Sequence, residues 1–266
     1  MNVKDLHFSW GANEVLNNVE FSIRSNEVVS ILGINGAGKS TLIKCLNGIL
    51  KPKSGKIEII ANSEESSKIS LVDMSSLDLV GLSRVMSYVP QSVRTSFSMD
   101  VFDVVLLGRK PHIKWRITDN DRDKVSETLR YLNLEDFAFR KFDQISGGER
   151  QRVIIAKAIA QDPNLFMFDE PTSDLDLKNQ IQIMKCIKKL IKESESPKSA
   201  LIAIHDINIA ARYSDKIMLL DNGKVKAFGP PKDVLTEQNI ADVFGVKSSV
   251  ELTDEDYIRV VIYDEI

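Results

Sequence analysis

The sequence predicts an α/β fold with a mainly parallel sheet, antiparallel strands near its N-terminus and a helical subdomain inserted into the core. Short apolar runs such as "EVVSIL" and "NLFMFD" are typical of strands buried on both faces, and amphipathic helical stretches separate them. This alternation indicates parallel strands whose faces are covered by helices. Between about residues 92 and 160 the pattern becomes mostly helical, and this interruption predicts the inserted subdomain.

The first half of the chain begins with strands. "DLHFSW" and "NNVEFSI" alternate apolar with polar residues, which predicts half-buried strands, whereas "EVVSIL" predicts a fully buried one. "TLIKCLNGIL" predicts a helix that ends before Pro52 and Gly55. Two further strands are predicted at "KIEII" and "SRVMSYVPQ", and the polar stretch "ANSEESSK" between them predicts an exposed loop.

The second half contains alternating helices and strands. "TDNDRDKVSETLRYLNL" predicts a helix whose first turn carries a capping box of Thr118 and Asp121. After the strand "NLFMFDEP" come the helix "LKNQIQIMKCIKKLIKES" and the strand "SALIAIHD". "KIMLLDNGKVKAFG" then predicts a hairpin that turns at Asn222 and Gly223. We therefore expect one domain over residues 1–230, which contains the helical subdomain, and a short mixed tail over 231–266.

Composition limits the classes of function. Hydrophobic residues make up 43% of the 266-residue chain and charged residues 27%, which is ordinary for a globular protein with a substantial core. The net charge of -3 argues against a protein that binds nucleic acid through a broad basic surface. Cys45 and Cys186 lie far apart, so we expect reduced thiols in a cytosolic compartment. The start of the chain lacks the apolar core of a signal peptide, and no run approaches the roughly 18 apolar residues of a membrane span.

A glycine-rich motif gives the first indication of chemistry. "GINGAGKST" fits the phosphate-binding pattern G-x-x-x-x-G-K-[ST] between a buried strand and a helix, a context that disfavours the alternative of a turn without a ligand. Its backbone N–H groups would face the β-phosphate of a nucleotide. Lys39 would neutralise β- and γ-phosphate oxygens, Ser40 would bind Mg²⁺, and Thr41 would add a hydroxyl group. The predicted nucleotide-binding residues of this loop are Gly33, Asn35, Gly36, Ala37, Gly38, Lys39, Ser40 and Thr41.

Polar side chains at the ends of predicted strands complete a catalytic set. Asp169 ends the strand "LFMFD", where open α/β sheets bind ligands, and would hold Mg²⁺ through water. Glu170 is the candidate general base for the attacking water. His205 and Gln91 also follow strands. His205 would contact the γ-phosphate and the attacking water, and Gln91 would contact Mg²⁺ and water. The predicted catalytic residues are Glu170, His205 and Gln91, and the predicted Mg²⁺ ligands are Ser40, Gln91 and Asp169. Any one of these side chains could have only a structural role at the end of its strand, so the prediction depends on their occurring together with the glycine-rich loop.

A second predicted helix also begins with glycines. In "ISGGERQRV", Ser146 and the backbone N–H groups of Gly147 and Gly148 form another candidate anion site. Since the first loop already encloses one nucleotide, this second site is useful if it caps the γ-phosphate of a nucleotide held by another copy of the chain. We therefore expect an isologous dimer in which two copies, placed head to tail, bury two ATP molecules between them.

In this order, the motifs resemble those of the ATP-binding cassette (ABC) ATPases over almost the whole chain. The set is "GINGAGKST", Gln91, "ISGGERQR", "LFMFDEP", "SDLD" and His205. The resemblance implies a P-loop NTPase core, ATP and Mg²⁺ as cofactors, and hydrolysis of ATP. It also implies that Trp10 stacks on adenine, although packing of Trp10 in a hairpin core is the alternative. Ile145 stands where leucine is usual in the family, and Asp174 stands where a small residue is common.

Among ABC ATPases, the resemblance favours the subunit of a prokaryotic importer whose permease lies on separate chains. "VFDVVLLGRKPH" and "EQNIADVFGVKSSV" resemble segments of importers for iron-siderophores, haem and cobalamin, with molybdate or tungstate as alternative cargo. A soluble ABC ATPase that acts on DNA or ribosomes is a further alternative, but the chain has one cassette and lacks room for a long coiled coil between Gln91 and Ser146. A P-loop kinase or GTPase would leave "ISGGER" and His205 unexplained.

The resemblance also implies partners and a location. The partners are a second copy of the chain, integral-membrane permease subunits and, indirectly, an extracytoplasmic solute-binding protein, with no nucleic acid. The location is the cytoplasmic face of the cell membrane.

The stretch after Gln91 is the predicted docking surface for the permease. Phe97, Met99 and Phe102 would line a groove for a short permease helix, although they could instead only pack the subdomain. We expect Val101, Val104 and Val105 to be buried in the core of the subdomain. Arg109 and Lys110 would lie at the rim of the groove, and Trp115 would either be buried in the core or contact the permease.

Overall fold

A computed structural model of the chain describes residues 1–62, 69–91, 98–173, 175–255 and 257–266. The strands in this part of the chain are β1 (Asn2–Trp10), β2 (Asn13–Ser22), β3 (Val28–Leu32), β4 (Ser54–Asn62), β5 (Ile69–Asp73), β6 (Met86–Val89), β7 (Leu165–Asp169), β8 (Ser199–Ala203), β9 (Lys216–Asp221), β10 (Lys224–Gly229), β11 (Val246–Leu252) and β12 (Ile258–Glu265). The α-helices are α1 (Lys39–Leu46), α2 (Leu79–Val85), α3 (Val101–Leu106), α4 (Asp119–Tyr131), α5 (Gly147–Ala160), α6 (Leu177–Lys192), α7 (Ile207–Tyr213), α8 (Pro231–Val234) and α9 (Glu237–Phe244).

The central sheet has six strands in the order β10-β9-β3-β8-β7-β6 and is mainly parallel, as predicted. β3 pairs in parallel with β8 and β9, and β7 pairs in parallel with β6 and β8, while β10 is antiparallel to β9. β3 and β7 are buried along their whole length, because both of their faces contribute to the core. The carboxyl ends of β3, β6, β7 and β8 therefore meet at one edge of the sheet.

The N-terminal sheet is antiparallel and has the order β2-β1-β4-β5. Leu6 and Leu16 of this sheet belong to one buried cluster with Leu42 of α1 and Met167 of β7. This shared core joins the antiparallel strands to the central sheet and confirms their predicted place in the fold.

The helical insertion lies between β6 and β7 in the chain, although these two strands are neighbours in the sheet. Val105 of α3, Val125 of α4 and Val153 of α5 are fully buried in one core cluster. The predicted capping box starts α4, since Asp121 N donates to Thr118 Oγ1 at 3.3 Å and Thr118 N donates to Asp121 Oδ2 at 3.0 Å. The apolar spacing and the cap thus both produce the predicted helices.

The C-terminal residues form two short helices and a β11–β12 hairpin. Asn208 of α7 fixes this hairpin, because its Nδ2 donates to Val260 O at 3.1 Å and its Oδ1 accepts from Val260 N at 2.8 Å. The side-chain amide of Asn208 therefore takes the place of a neighbouring strand beside β12.

Two boundaries differ from the sequence-based predictions, and one turn agrees. The predicted strand "SRVMSYVPQ" begins only at Met86, because the residues before it complete α2, which Asp78 caps by accepting from Gly81 N at 2.7 Å. β4 extends to Asn62 into the predicted loop, whose remainder lies outside the described residues. Asn222 and Gly223 adopt φ values of 45° and 74°, as the predicted hairpin turn requires.

None of the helices in the described part of the chain combines the length and the apolar character that crossing a membrane requires.

Candidate functional site

The glycine-rich loop connects β3 to α1 and depends on glycine geometry. Gly36 and Gly38 adopt φ values of +85° and +104°, a region that L-residues rarely occupy. A Cβ atom at Gly33 would lie 2.2 Å from Leu220 O, so only glycine fits so close to β9. The loop backbone is thereby held in a curl that ends at the first turn of α1.

Lys39 is the buried cation of this loop. Its Nζ donates to Gly33 O at 2.7 Å and to Ile34 O at 3.0 Å, and the residue is only 5% exposed. Burial lowers the pKa of Lys39, while Glu170 and Asp169 act in the opposite direction. The ammonium group is thus desolvated inside the loop, where an anionic phosphate would provide stronger, charge-assisted hydrogen bonds than the two carbonyl groups do.

Ser40 and Asp169 meet beside the loop, as predicted for a pair of metal ligands. Ser40 Oγ donates to Asp169 Oδ1 at 2.8 Å, and Asp169 is only 4% exposed at the end of β7. Tyr88 of β6 donates its hydroxyl to Asp169 Oδ2 at 3.2 Å, a contact that the sequence analysis missed. Burial and, secondarily, Asp169 raise the pKa of Tyr88, so it stays a proton donor. A hydroxyl and a carboxylate oxygen side by side fit Mg²⁺, which prefers oxygen ligands and keeps several waters.

Glu170 lies between Gln91 and His205. Gln91 Nε2 donates to Glu170 Oε2 at 2.7 Å, and His205 Nε2 lies 2.5 Å from Glu170 Oε1. The backbone of Glu170 has a positive φ of 53°, and its N–H donates to Ala203 O at 3.0 Å, which anchors it to β8. The structure therefore brings the three predicted catalytic side chains together, with Gln91 placed against the carboxylate of Glu170.

The loop and Glu170 line one pocket at this edge of the sheet. The lining residues are Val15, Asn35, Gly36, Gly38, Lys39, Ser40, Thr41 and Glu170. Of the other predicted loop residues, Gly33 and Ala37 are buried behind it. Val15 was not predicted to belong to the site, because a single valine in a half-buried strand carries no signal of its own.

Trp10 lies at the end of β1, and its side chain is not part of a hairpin core. The residue is 58% exposed, and its ring meets the Phe8 ring edge-on with the centroids 5.1 Å apart. The alternative of a buried packing role is therefore wrong. An exposed indole face is available for stacking, and stacking on adenine stays a prediction.

Ser146 caps α5 and forms a second capping box that the sequence analysis missed. Glu149 N donates to Ser146 Oγ at 3.3 Å, and Ser146 N donates to Glu149 Oε2 at 2.7 Å. Hydrogen bonds to its carboxylate from the side chain and the backbone N–H of Ser146 lower the pKa of Glu149. The N–H groups of Gly147 and Gly148 remain in the first turn, where a helix provides no partner for them. Among the described residues that line the pocket of the glycine-rich loop, none is Ser146, Gly147 or Gly148.

The segment after Glu170 leads to α6 and lies close to the second helix start. Asp176 caps α6 by accepting from Asn179 N at 2.8 Å, and a Cβ atom at Gly148 would lie 3.3 Å from Asn179 Nδ2. Asp174 lies outside the described residues.

The predicted docking stretch is described only in part. Phe97 lies outside the described residues, and Met99 and Phe102 are half-buried against the core of the helical insertion. The prediction of core positions at Val101, Val104 and Val105 is confirmed, since none is more than 5% exposed. Trp115 is 98% exposed, so it is not a core residue.

Arg109 does not lie at the rim of a groove, and this prediction is wrong. The residue is only 7% exposed, its Nε donates to Asp121 Oδ1 at 3.1 Å, and its Nη1 donates to Ala160 O at 2.8 Å. The guanidinium group therefore ties α4 to the end of α5, whereas Lys110 next to it is exposed.

Comparisons with known proteins agree on one family. The family profile described as "ABC transporter" matches residues 16–173. An uncharacterized ABC transporter ATP-binding protein of Methanocaldococcus jannaschii is 45% identical over 94% of this chain and 93% of its own length. A petrobactin import ATP-binding protein of Bacillus subtilis is 33% identical over 97% and 98% of the two chains. A solved structure of a metal-chelate type ABC transporter in an inward-facing conformation has a TM-score of 0.81 at 29% identity, covering 98% of this chain and 96% of that one.

Proposed function

Because the chain belongs to the ABC transporter family, we propose that it is the ATP-hydrolysing subunit of an importer for a metal chelate. The observation that carries the proposed chemistry is the position of Glu170, which Gln91 and His205 hold beside the Ser40–Asp169 pair. Glu170, Lys39 and Ser40 line one pocket, and Asp169 is hydrogen-bonded to Ser40 beside it. These are the parts that phosphoryl transfer to water requires.

Binding of ATP would replace contacts that already exist inside the loop. The ammonium of Lys39 would move its hydrogen bonds from Gly33 O and Ile34 O to phosphate oxygens, and the loop N–H groups would surround the β-phosphate. Ser40 Oγ and Asp169 would hold Mg²⁺, directly and through water, respectively. When bound, this ion neutralises charge on the phosphate oxygens. Thr41 and Asn35, which line the same pocket, would contact the nucleotide at its phosphate end.

Hydrolysis would use Glu170 as the general base. A water molecule in line with the γ-phosphate would give its proton to a carboxylate oxygen of Glu170 as its oxygen attacks the γ-phosphorus. The bond from this phosphorus to the β–γ bridging oxygen would break, and ADP would leave with the electron pair. Gln91 Nε2 donates to one of these oxygens and His205 lies against the other, so both side chains orient the carboxylate. His205, which is 46% exposed in its side chain, would turn towards the γ-phosphate once nucleotide is present.

The second anion site would act in a dimer. Ser146 and Gly147 are exposed at the start of α5. Because the N-terminus of a helix favours anions, the N–H groups of Gly147 and Gly148 would bind a negatively charged ligand from outside the chain. Two copies arranged head to tail would place this helix start on the γ-phosphate held by the partner. Each ATP would then be enclosed by two copies, and hydrolysis would require both.

The cargo and the membrane partners are inferred from relatives. The petrobactin import protein and the metal-chelate type transporter support an iron-siderophore or a similar chelate, with haem and cobalamin in the same class. Permease subunits on other chains would bind the helical insertion near Met99 and Phe102, and an extracytoplasmic binding protein would deliver the cargo to them. The subunit would thus work at the cytoplasmic face of the membrane.

The substitution Glu170→Gln tests the proposed base. It keeps the size and one oxygen of the side chain but removes its basicity, so the hydrolysis rate should fall at least ~100-fold. ATP affinity should stay near that of the wild type, because Lys39 and the loop are unchanged. Gel filtration with Mg·ATP should show an accumulating dimer. Near-normal turnover would exclude Glu170 as the base, and loss of ATP binding would show that the substitution damages the pocket.

A further inference from the structure

A cavity that hydrolysis does not use lies where α4, α5 and α6 meet. Its volume is about 300 Å³, the lower end of the range for small-molecule pockets. Leu132, Ile155 and Ile183 form its apolar wall, and each is buried. Because α4 and α5 belong to the helical insertion and α6 follows β7, the cavity lies at the junction between the insertion and the central sheet.

Three cations surround this cavity. Arg152 projects from α5, and Lys185 and Lys189 lie one turn apart on the same face of α6. No carboxylate lines the cavity within the described residues. Lys189 contacts Glu193 at 3.8 Å, but both side chains are more than half exposed, so solvent weakens this pair. The cavity is therefore positively charged.

Arg152 provides an unsatisfied donor at this position. Its Nε atom is buried and has no hydrogen-bond partner among the described residues. A buried donor of a charged group without an acceptor is costly, so the guanidinium group of Arg152, which lines the cavity, is incompletely compensated.

The remaining polar groups add no negative charge at neutral pH. Cys186 and Tyr131 share a hydrogen bond, and burial raises the pKa of the Cys186 thiol to about 11. The Tyr131 ring lies 5.9 Å from Lys189 Nζ, which leaves an aromatic face beside the cation. The cavity thus combines an aromatic edge, an apolar wall and three positive charges.

We propose that this cavity binds a small organic anion with an apolar body, such as an aromatic carboxylate or sulfonate. The anionic group would lie among Arg152, Lys185 and Lys189, and the body would pack on Ile155 and Ile183. The ligand would join the helical insertion to α6, which neither ATP nor the dimer contact does.

The probe for this site is 8-anilinonaphthalene-1-sulfonate, with N-phenyl-1-naphthylamine as the matched neutral compound. Cys186 lines the cavity whereas Cys45 is fully buried, so mass spectrometry can follow alkylation of Cys186 by neutral N-ethylmaleimide. The sulfonate probe should slow this reaction in the wild type, and the neutral analogue should slow it much less. The double substitution Lys185→Glu with Lys189→Glu should weaken binding of the sulfonate probe by roughly tenfold or more.

The substitution Lys178→Glu is the control, because it reverses the charge of one lysine on α6 outside the cavity. It should leave probe affinity and Cys186 protection unchanged. The proposal is overturned if the sulfonate probe fails to protect Cys186, if the neutral analogue protects it equally, or if the double variant binds the probe like the wild type. Should the double variant unfold, the comparison of the two probes on the wild type still decides between these outcomes.

Discussion

The helix starts at Lys39 and at Gly147 both follow glycine-rich segments, but they differ in their surroundings. The edge of the central sheet brings Asp169 and Glu170 to the first, so one chain supplies the ammonium of Lys39, the hydrogen-bonded pair of Ser40 and Asp169, and the carboxylate of Glu170. At the second, Ser146 and its capping partner Glu149 satisfy each other, and Gly147 is exposed while Gly148 is half-buried. A helix N-terminus therefore becomes a complete phosphate site only through its neighbours. Among the described residues, Ser146, Gly147 and Gly148 do not line the pocket of the first helix start.

The largest expected effect comes from blocking the second helix start. Ser146→Arg removes the cap and places a cation where the partner's γ-phosphate would lie. Hydrolysis should fall at least ~100-fold, as for loss of a donor to a developing charge. ATP binding by the mutant monomer should be unchanged, because Ser146 does not line the pocket of the glycine-rich loop. Phosphate release and nucleotide titration measure the two properties separately.

The control for Ser146→Arg is the same change at another cap. Thr236 caps α9 by accepting from Asn239 N at 3.1 Å and is exposed. Thr236→Arg should lower stability by about 1 kcal/mol and leave hydrolysis intact. Equal losses of activity in both variants would show that the cap, and not the site, explains the effect.

A smaller effect is expected at the first helix start. Lys39→Ala removes the buried cation, and ATP affinity should fall roughly 10- to 100-fold, the range for a hydrogen bond to a charged group. Lys44→Ala, on the same helix and outside the pocket, should bind ATP like the wild type. Unchanged affinity in Lys39→Ala would remove the loop from the proposed nucleotide site.

The smallest effect separates the glycines of the two segments. Gly38→Ala forces a φ of +104° on an L-residue and brings its Cβ to 3.1 Å from Val15 O, so it should cost about 1–3 kcal/mol of folding stability. Gly147→Ala meets open space in a helical conformation, and stability should be unchanged or slightly higher. Thermal unfolding of both variants measures the difference. Equal destabilisation would contradict the distinction between the two segments.

Buried strands and tight turns could be predicted from sequence because their signals are local. β3 and β7 are buried on both faces, which requires the uninterrupted apolar runs that reveal them. Asn222 and Gly223 form the turn because both residue types readily adopt the positive φ values that it requires. α2 was missed because Leu82 and Val85 alone bury its inner face, and so short an apolar pattern fits a helix or a strand equally well.

The candidate site could be predicted where motifs coincide with strand ends. Ser40, Asp169 and Glu170 meet because parallel strands end at one edge, which the order of motifs already indicates. The contact of Tyr88 with Asp169 and the ion pair of Arg109 with Asp121 depend on which side chains meet after folding, and no local pattern encodes such pairs.

Crosslinking tests most directly whether one nucleotide site needs two copies. One copy carries Asn35→Cys and the other Gly147→Cys, both in a Glu170→Gln background with Cys45 and Cys186 replaced by alanine and with different affinity tags. Asn35 lines the pocket of the glycine-rich loop, and Gly147 starts α5. We predict a disulfide between the two tagged copies that forms with Mg·ATP and not without nucleotide. The absence of any ATP-dependent disulfide between the two copies would contradict the account.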